Sequence, residues 1–122
     1  MPAIVTPATL DESALARLRE LDPDGRHGVV QRVLTAFETS LTRALGQLQE
    51  QQAAADAKTV AMLAHTLKSS SASVGALGLA AACAQVESRL RDGQTINLRD
   101  DVVLLLVHGR AVQAAVGAML RS

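Results

Sequence analysis

The sequence predicts an all-α fold: an antiparallel up-down four-helix bundle with a short extra helix at its N-terminus. Hydrophobic residues fill 48% of the 122 positions, yet aromatic residues fill only 1%, whereas β-sheet proteins draw on aromatic and β-branched side chains. Apolar residues recur at helical spacing in five segments. The breaks between the long segments are short, so successive long helices are expected to be antiparallel neighbours.

The chain begins with an extended lead-in, which a single predicted domain follows. Residues 1–8 contain two prolines and form the lead-in, and residues 9–122 form the domain. Thr9 and Glu12 have the spacing of a capping box, which predicts Thr9 as the N-cap of the first helix. Turn-forming residues at positions 22–25 end this helix. Its apolar stripe consists of Leu10, Ala14, Leu15, Leu18 and Leu21.

Four longer helices are predicted at about residues 27–53, 57–74, 76–92 and 98–121. Asp56 and Asn97 are the predicted N-caps of the second and fourth of these helices, and Gly75 ends or kinks the second. Each helix is expected to bury one face in a shared core. The core positions are Val29, Val33, Phe37, Leu41, Leu45 and Leu48; Val60, Leu63, Ala64, Leu67, Ser71 and Val74; Leu79, Cys83, Val86 and Leu90; and Leu98, Val102, Leu105, Leu106, Gly109, Val112, Val116, Met119 and Leu120.

Composition and charge exclude several classes of protein. The 12 basic and 12 acidic side chains give a net charge of zero, which argues against a broad nucleic-acid-binding surface. No run approaches the ~18 consecutive apolar residues of a membrane span, and the N-terminus lacks the regions of a signal peptide. We therefore expect a cytoplasmic domain without direct membrane insertion. The single Cys83 allows no internal disulfide and is expected to be a buried apolar residue.

His65 lies on the wrong face of its helix for a core residue. On a helical wheel it points roughly 140° away from the centre of the apolar stripe. Lys68 follows one turn later on the same side, and the small residues Ser69, Ala72 and Ser73 leave this face open to another protein. Neutral imidazole is a competent nucleophile at cellular pH, and an ammonium group one turn away can stabilise the oxygens of a phosphoryl group bound to it.

The other histidines show no comparable pattern. His27 and His108 are expected to be structural or exposed. Together with His65 and Cys83 they lack the Glu-x-x-His or His-x-x-x-His spacing of metal sites in helical bundles. The sequence therefore predicts no metal site.

Residues 64–76, with the sequence AHTLKSSSASVGA, resemble the phosphoacceptor signature of histidine-containing phosphotransfer (HPt) domains of multistep phosphorelays. That signature is roughly His-x-Leu-Lys-Gly, then small residues, then a glycine ten positions after the histidine. His65, Leu67, Lys68 and Gly75 match it, whereas Ser69 stands where the family usually has glycine. The number, order and length of the predicted helices extend the resemblance to nearly the whole chain.

The resemblance implies that His65 accepts a phosphoryl group on Nε2 from the phospho-aspartate of one receiver domain and passes it to the aspartate of another. Lys68 would support the phosphoryl oxygens, and Ser69 would tune partner choice or rate. In the family a polar side chain on the next helix, often glutamine, hydrogen-bonds the imidazole, and counting without gaps places Glu87 there. Glu87 would then hold the second ring nitrogen protonated; as a solvated helix glutamate it would have no such role.

The resemblance also implies the partners and the docking surface. The partners are receiver domains of response regulators and of a hybrid sensor histidine kinase, and the chain is expected to be a monomer. It needs no cofactor of its own, because Mg²⁺ would come from the partner receiver domain. No Gly-rich loop for nucleotide phosphates is present, so neither ATP binding nor kinase activity is expected. Beside His65, the expected docking residues are Lys58, Ala61, Met62, Ser69, Ala72 and Ser73, with parts of the 76–92 helix at the rim.

Two other functions have to be weighed against this one. A dimeric histidine-kinase phosphoacceptor domain usually has an acidic residue after the histidine and a Thr-Pro pair soon afterwards. Here Thr66 follows His65 and every proline precedes residue 24, which disfavours that class. A non-catalytic helical adaptor could bind a signalling partner through the same face, and only a phosphotransfer experiment separates it from the carrier.

Overall fold

The computed structural model describes residues 9–122, and over that range it contains helices joined by turns. The predicted all-α architecture, four long helices preceded by a short one, is confirmed. The long helices begin and end within two residues of their predicted positions. The lead-in predicted for residues 1–8 lies outside the described residues. The helices are α1 (Glu12–Glu20), α2 (Val29–Gln51), α3 (Ala57–Ser73), α4 (Leu77–Arg91) and α5 (Leu98–Leu120).

The four long helices form a closed antiparallel bundle. They contact one another in the cyclic order α2, α3, α4, α5, and α5 returns to α2. Near the middle of α2, Glu38 accepts a hydrogen bond from Arg121, the residue that follows α5, at 3.1 Å. Near the end of α2, Gln49 accepts one from Arg110 at 3.2 Å. The later residue of α2 thus contacts the earlier residue of α5, which shows that these two helices are antiparallel.

Each long helix contributes one buried face to a single core. All six predicted core positions of α3 are buried, and so are the first three of α4. The prediction is wrong at Leu21 and Met119, which are 70% and 38% exposed. Both residues lie at helix ends, where the apolar period outlasts the packed part of the helix. The predicted core positions that are only half-buried are Leu10, Leu18, Val29, Val33, Leu90, Leu98 and Leu120.

The start of α1 differs from the prediction. Asp11, not Thr9, is the N-cap: its Oδ2 accepts a hydrogen bond from the backbone N–H of Ala14 at 3.1 Å. Aspartate caps a helix better than threonine does. In addition, the backbone N–H of Asp11 donates to the carbonyl of Gly75 at 2.8 Å. The predicted capping box is therefore wrong, because a stronger cap and a tertiary hydrogen bond both fix the start at Asp11.

The turn between α1 and α2 is organised by the buried side chain of Asp22. Its carboxylate accepts backbone hydrogen bonds from His27 at 3.1 Å and from Val29 at 3.2 Å. It thereby caps α2, whose N-cap Gly28 has no side chain to do so. Burial raises the pKa of the Asp22 carboxyl, but the backbone hydrogen bonds from Val29 and His27 outweigh burial. The net pKa therefore lies below the ordinary value of 3.8.

The corner between α3 and α4 is a Schellman motif at Gly75, which ends α3 as the sequence predicts. The backbone N–H groups of Gly75 and Ala76 donate to the carbonyls of Ala72 and Ser71 at 3.1 and 2.8 Å. Gly75 has a φ of +81°. A Cβ there would lie 2.7 Å from the backbone nitrogen of Asp11 and 2.9 Å from its carbonyl oxygen. The left-handed backbone and the close passage of the chain before α1 therefore both require glycine.

Within the described residues, α5 is the helix whose length and composition would allow it to cross a membrane. In this fold it is a core helix, since its apolar face packs against α2 and α4. Asp101, in its first turn, is buried and paired with Arg89 of α4. Burial in the bundle accounts for the apolar character of α5.

Replacing Gly75 with alanine is expected to destabilise the fold more than the same change at Gly93. Gly93 has a similar φ of +77° and also closes a helix, but no atom lies within 4 Å of a Cβ at that position. Gly93→Ala should lose about 1–2 kcal/mol through its left-handed conformation. Gly75→Ala should lose about 1–3 kcal/mol more, because the backbone of Asp11 must move. Equal losses of unfolding free energy in urea titrations would contradict this account of the corner.

Replacing Asp22 with asparagine is expected to lower the melting temperature at pH 7 by roughly 5 °C. Because the folded-state pKa of Asp22 lies below its unfolded value, the charged carboxylate contributes its full stability above pH 3.8. That contribution is lost as the pH falls through the folded-state pKa. Melting curves of both proteins over a pH series should therefore converge in acid. A difference that persists below both pKa values would show that charge is not the cause.

Candidate functional site

The outer face of α3 carries the candidate functional side chains. The start of this helix is fixed by Asp56, whose carboxylate accepts a hydrogen bond from the backbone N–H of Thr59 at 3.0 Å. Because the start of α3 is fixed, the helical period determines which of its residues point into the core and which lie on the outer face. The side chain of His65 is 70% exposed. His65 thus lies outside the core, where the helical wheel predicts it.

After the Gly75 corner, α4 returns alongside α3 and brings Glu87 against His65. Oε2 of Glu87 lies 2.7 Å from Nδ1 of His65, and Oε1 accepts a hydrogen bond from Nζ of Lys68 at 2.6 Å. The side chain of Glu87 is 16% exposed, whereas that of Lys68 is 36% exposed. The structure therefore brings the three predicted catalytic side chains together, and we refer to His65, Lys68 and Glu87 as the His65 cluster.

The two donors keep Glu87 in its charged form. The hydrogen bonds from Lys68 and from His65 hold the pKa of Glu87 below its ordinary value of 4.5, against the opposing effect of burial. A carboxylate can only accept hydrogen bonds, so Nδ1 of His65 is the donor and carries the ring proton. In the neutral imidazole, Nε2 then has the free lone pair. Nε2 has no hydrogen-bond partner among the residues that the structure describes.

Lys68 donates one hydrogen bond to Glu87 and keeps further N–H donors free for other acceptors. An ammonium group carries three N–H donors, so its bond to Glu87 leaves two for other acceptors. Lys68 lies one helical turn from His65 and is partly exposed. The cluster therefore presents a nucleophilic ring nitrogen and unused cationic donors on one surface.

The side chains around the cluster on α3 are mostly small. The predicted docking residues are exposed, apart from the half-buried Ala61. The Ser73 hydroxyl donates to the carbonyl of Ser69 at 3.0 Å, so it lies along its own helix. Met62 is the large apolar member and is 60% exposed. We refer to the following set as the docking face: Lys58, Ala61, Met62, Ser69, Ala72 and Ser73.

α4 contributes a second row that the sequence analysis did not resolve into residues. Leu77, Ala80, Ala84 and Glu87 follow one another at steps of three, four and three, so they share one side of the helix. Leu77 is 53% exposed, and Ala84 is also exposed. The sequence does contain the pattern that predicts this row, because Leu77, Ala80 and Ala84 fall outside the apolar stripe of α4 and share the helical spacing of Glu87.

The remaining histidines and the cysteine are not part of the His65 cluster. His27 is exposed in the turn before α2, and His108 is half-buried on α5 beside Gly78. Cys83 is buried one turn before Glu87, and burial raises the pKa of its thiol to about 12, which makes it a poor nucleophile. Among residues 9–122, no three metal-ligating side chains are grouped.

Two similarities to known proteins cover most of the chain. The family model described as the Hpt domain matches residues 32–120. The fold is similar to the crystal structure of histidine-containing phosphotransfer protein B (HptB) from Pseudomonas aeruginosa PAO1, with a TM-score of 0.76 and 23% sequence identity. That similarity covers 98% of this chain and 97% of the other. Among curated proteins, none matches the sequence significantly.

Proposed function

The chain belongs to the Hpt domain family, and from that premise we propose that it carries its phosphoryl group on Nε2 of His65. Proteins of this family perform histidine phosphotransfer in phosphorelay signalling. They are phosphoryl carriers and not kinases, and they interact with receiver domains. One observation supports His65 above all. Its Nδ1 is held by Oε2 of Glu87 at 2.7 Å, which leaves the Nε2 lone pair free on an exposed ring.

The proposed transfer forms one bond and breaks one. The Nε2 lone pair of His65 attacks the phosphorus of a receiver phospho-aspartate; the N–P bond forms, and the P–O bond to the aspartate carboxylate breaks. The bonding electrons leave with that carboxylate. Nδ1 keeps its proton throughout, because Glu87 accepts its hydrogen bond. The reverse sequence delivers the phosphoryl group to the aspartate of a second receiver.

Lys68 would stabilise the charge that develops on the phosphoryl oxygens. It lies one turn from His65 and has two N–H donors beyond the one that binds Glu87. Phosphoryl transfer depends mostly on positioning and on charge stabilisation, so a single fixed ammonium group suits the reaction. In this proposal Lys68 bridges Glu87 and the phosphoryl group.

The docking face would receive the receiver domain. Its small side chains allow close approach to His65, and the exposed side chains of Met62 on α3 and of Leu77 at the start of α4 supply apolar contact area. Such an interface suits a transient complex. The receivers would be those of response regulators and of a hybrid sensor histidine kinase, and they would supply the Mg²⁺. We further propose that the chain acts in the cytoplasm as a monomer, with no nucleic acid, no inserted membrane segment and no ATP of its own.

Labelling of His65 tests this proposal directly. Receiver domains from the same organism, phosphorylated beforehand with labelled acetyl phosphate, should pass label to the wild-type chain. The label should resist alkali and be lost in acid, as a phosphohistidine is. His65→Gln should take no label, and His27→Gln, which changes another exposed histidine, should be labelled like the wild type. If no receiver labels the wild type, the carrier proposal fails and the adaptor function is favoured. If His65→Gln is labelled, the acceptor has been assigned to the wrong residue.

Replacing Lys68 with alanine is expected to slow transfer by roughly 10–100-fold, because one charge-assisted contact to the phosphoryl group is lost. The melting temperature should change by only a few degrees, since the Lys68 ammonium is partly exposed and solvent weakens its ion pair with Glu87. Rapid-quench transfer rates and melting curves measure the two effects. Unfolding of this variant would show that Lys68 is structural, and an unchanged rate would remove it from the reaction.

A further inference from the structure

A second apolar row runs along the outer face of α5, opposite the face that the bundle buries. Its two valines are 47% and 40% exposed. The other members are alanines, which are exposed except for the half-buried Ala111. Steps of three and four residues keep all five members within about 40° of one direction on a helical wheel. We refer to the following set as the outer row: Val103, Val107, Ala111, Ala114 and Ala118.

The outer row is not interrupted by charge. Between Val103 and Ala118, Arg110 is the only Asp, Glu, Lys or Arg in the sequence. Its guanidinium donates to Oε1 of Gln49 on α2 at 3.2 Å, so it is directed toward α2 and does not cover the alanines. A continuous exposed apolar face of this kind is typical of a surface that contacts another protein.

The order of the side chains fits a second copy of the same helix that runs in the opposite direction. The valines occupy the first half of the outer row and the alanines the second. When two copies of α5 meet antiparallel at the middle of the row, Val103 of one copy faces Ala118 of the other, and Val107 faces Ala114. Each larger side chain then meets a smaller one, so the helices can pack evenly at about 8 Å. Two-fold symmetry makes each of these contacts twice.

The same arrangement brings opposite charges together at both ends of the row. Asp100 and Arg121 lie equally far from its middle, so each faces the other across the pair. Asp100 is exposed and forms none of the ion pairs found within residues 9–122. Arg121 binds Glu38 through one nitrogen and is 72% exposed, and a guanidinium has five N–H donors. A parallel pair in register would instead place Asp100 beside Asp100, so the charges favour the antiparallel one.

We propose that the outer row is a self-association surface, through which two copies of the chain pair antiparallel along α5. In the cyclic order of the bundle, α5 and α3 stand at opposite corners. The outer row therefore faces away from the His65 cluster, and pairing leaves both docking faces accessible. This inference goes beyond phosphotransfer and does not depend on it.

The pair is weak and reversible. A stable complex buries about 800 Å² on each partner, whereas three of the five members of the outer row are alanines and offer little area. At low concentration the chain is therefore single, which is the form proposed above for the carrier. Pairs form where the chain is concentrated, with half of the chains paired at roughly 100 µM.

Sedimentation velocity from about 5 to about 500 µM measures the association. The average mass of the wild type should rise from that of one chain toward that of two. Ala114→Glu should stay single throughout, because pairing would bury an unpaired charge. The matched control is Ala36→Glu, which places the same side chain at an exposed alanine on α2 and should pair like the wild type. A wild type that stays single at the highest concentration, or an Ala114→Glu variant that pairs normally, overturns the inference.

Charge reversal at the two ends tests the register. Asp100→Arg and Arg121→Asp should each pair roughly tenfold more weakly than the wild type, because two like-charge contacts replace two ion pairs. An equal mixture of the two variants should recover the wild-type affinity, since every contact then joins opposite charges. Melting curves check that each variant is folded. A mixture that pairs no better than either variant alone would contradict the proposed register.

Cysteine cross-linking tests the direction of the pair. Cys83 is buried and the pKa of its thiol is raised to about 12, so an introduced cysteine reacts alone. Under oxidised glutathione, an equal mixture of Val103→Cys and Ala118→Cys should form a disulfide between the two variants. Neither should cross-link to itself, because equivalent positions lie about 22 Å apart, beyond the reach of a disulfide. Self-linking of Val103→Cys, or no cross-link in the mixture, overturns the antiparallel pair and leaves the carrier proposal untouched.

Discussion

The close backbone contact at Gly75 is the constraint on which the arrangement of the site depends. The left-handed glycine closes α3, and the chain before α1 passes near enough to donate the Asp11 N–H to its carbonyl at 2.8 Å. The short corner that results folds α4 back along α3. Since α4 is a regular helix from Leu77 onward, its start determines which later side chain meets His65. Glu87 reaches the imidazole from this short corner, in which a Cβ at position 75 would clash with the backbone of Asp11.

Burial on one side of α3 leaves its other side free for chemistry. The core stripe is fully covered, from Val60 at 0% exposure to Val74 at 1%, so the rotation of the helix about its axis is fixed by packing. A residue half a turn away from that stripe lies on the opposite face of the helix and therefore points away from the core. His65 is therefore held at the surface by the apolar residues behind it. This division lets the outer face carry small side chains without weakening the fold.

Much of the fold and of the site could be predicted from the sequence, and the exceptions depend on contacts that spacing along the chain does not show. The orientation of His65 and Lys68 follows from the helical period alone, and the position of Glu87 follows from a count across a corner that a glycine closes. The wrong N-cap at Thr9 has a different origin, since the partner that fixes Asp11 is a carbonyl 64 residues further along the chain. The sequence also does not predict that Glu87 is shared by two donors. Sequence spacing tells which residues can meet, but not which atom of each side chain is engaged.

The His65 cluster balances its own charges, and this balance suits a carrier. In the resting site the positive Lys68 and the negative Glu87 neutralise each other beside the ring of His65. In the proposed reaction, addition of a phosphoryl group to His65 would bring negative oxygens and a positive ring, and each would meet an opposite charge that is already in place: Lys68 for the oxygens and Glu87 for the ring. Neither group has to leave its partner for this to happen, because the ammonium has spare donors and the carboxylate has two oxygens. A site that already holds the charges for both states, and that would reorganise little between them, suits the proposed role of a phosphoryl carrier.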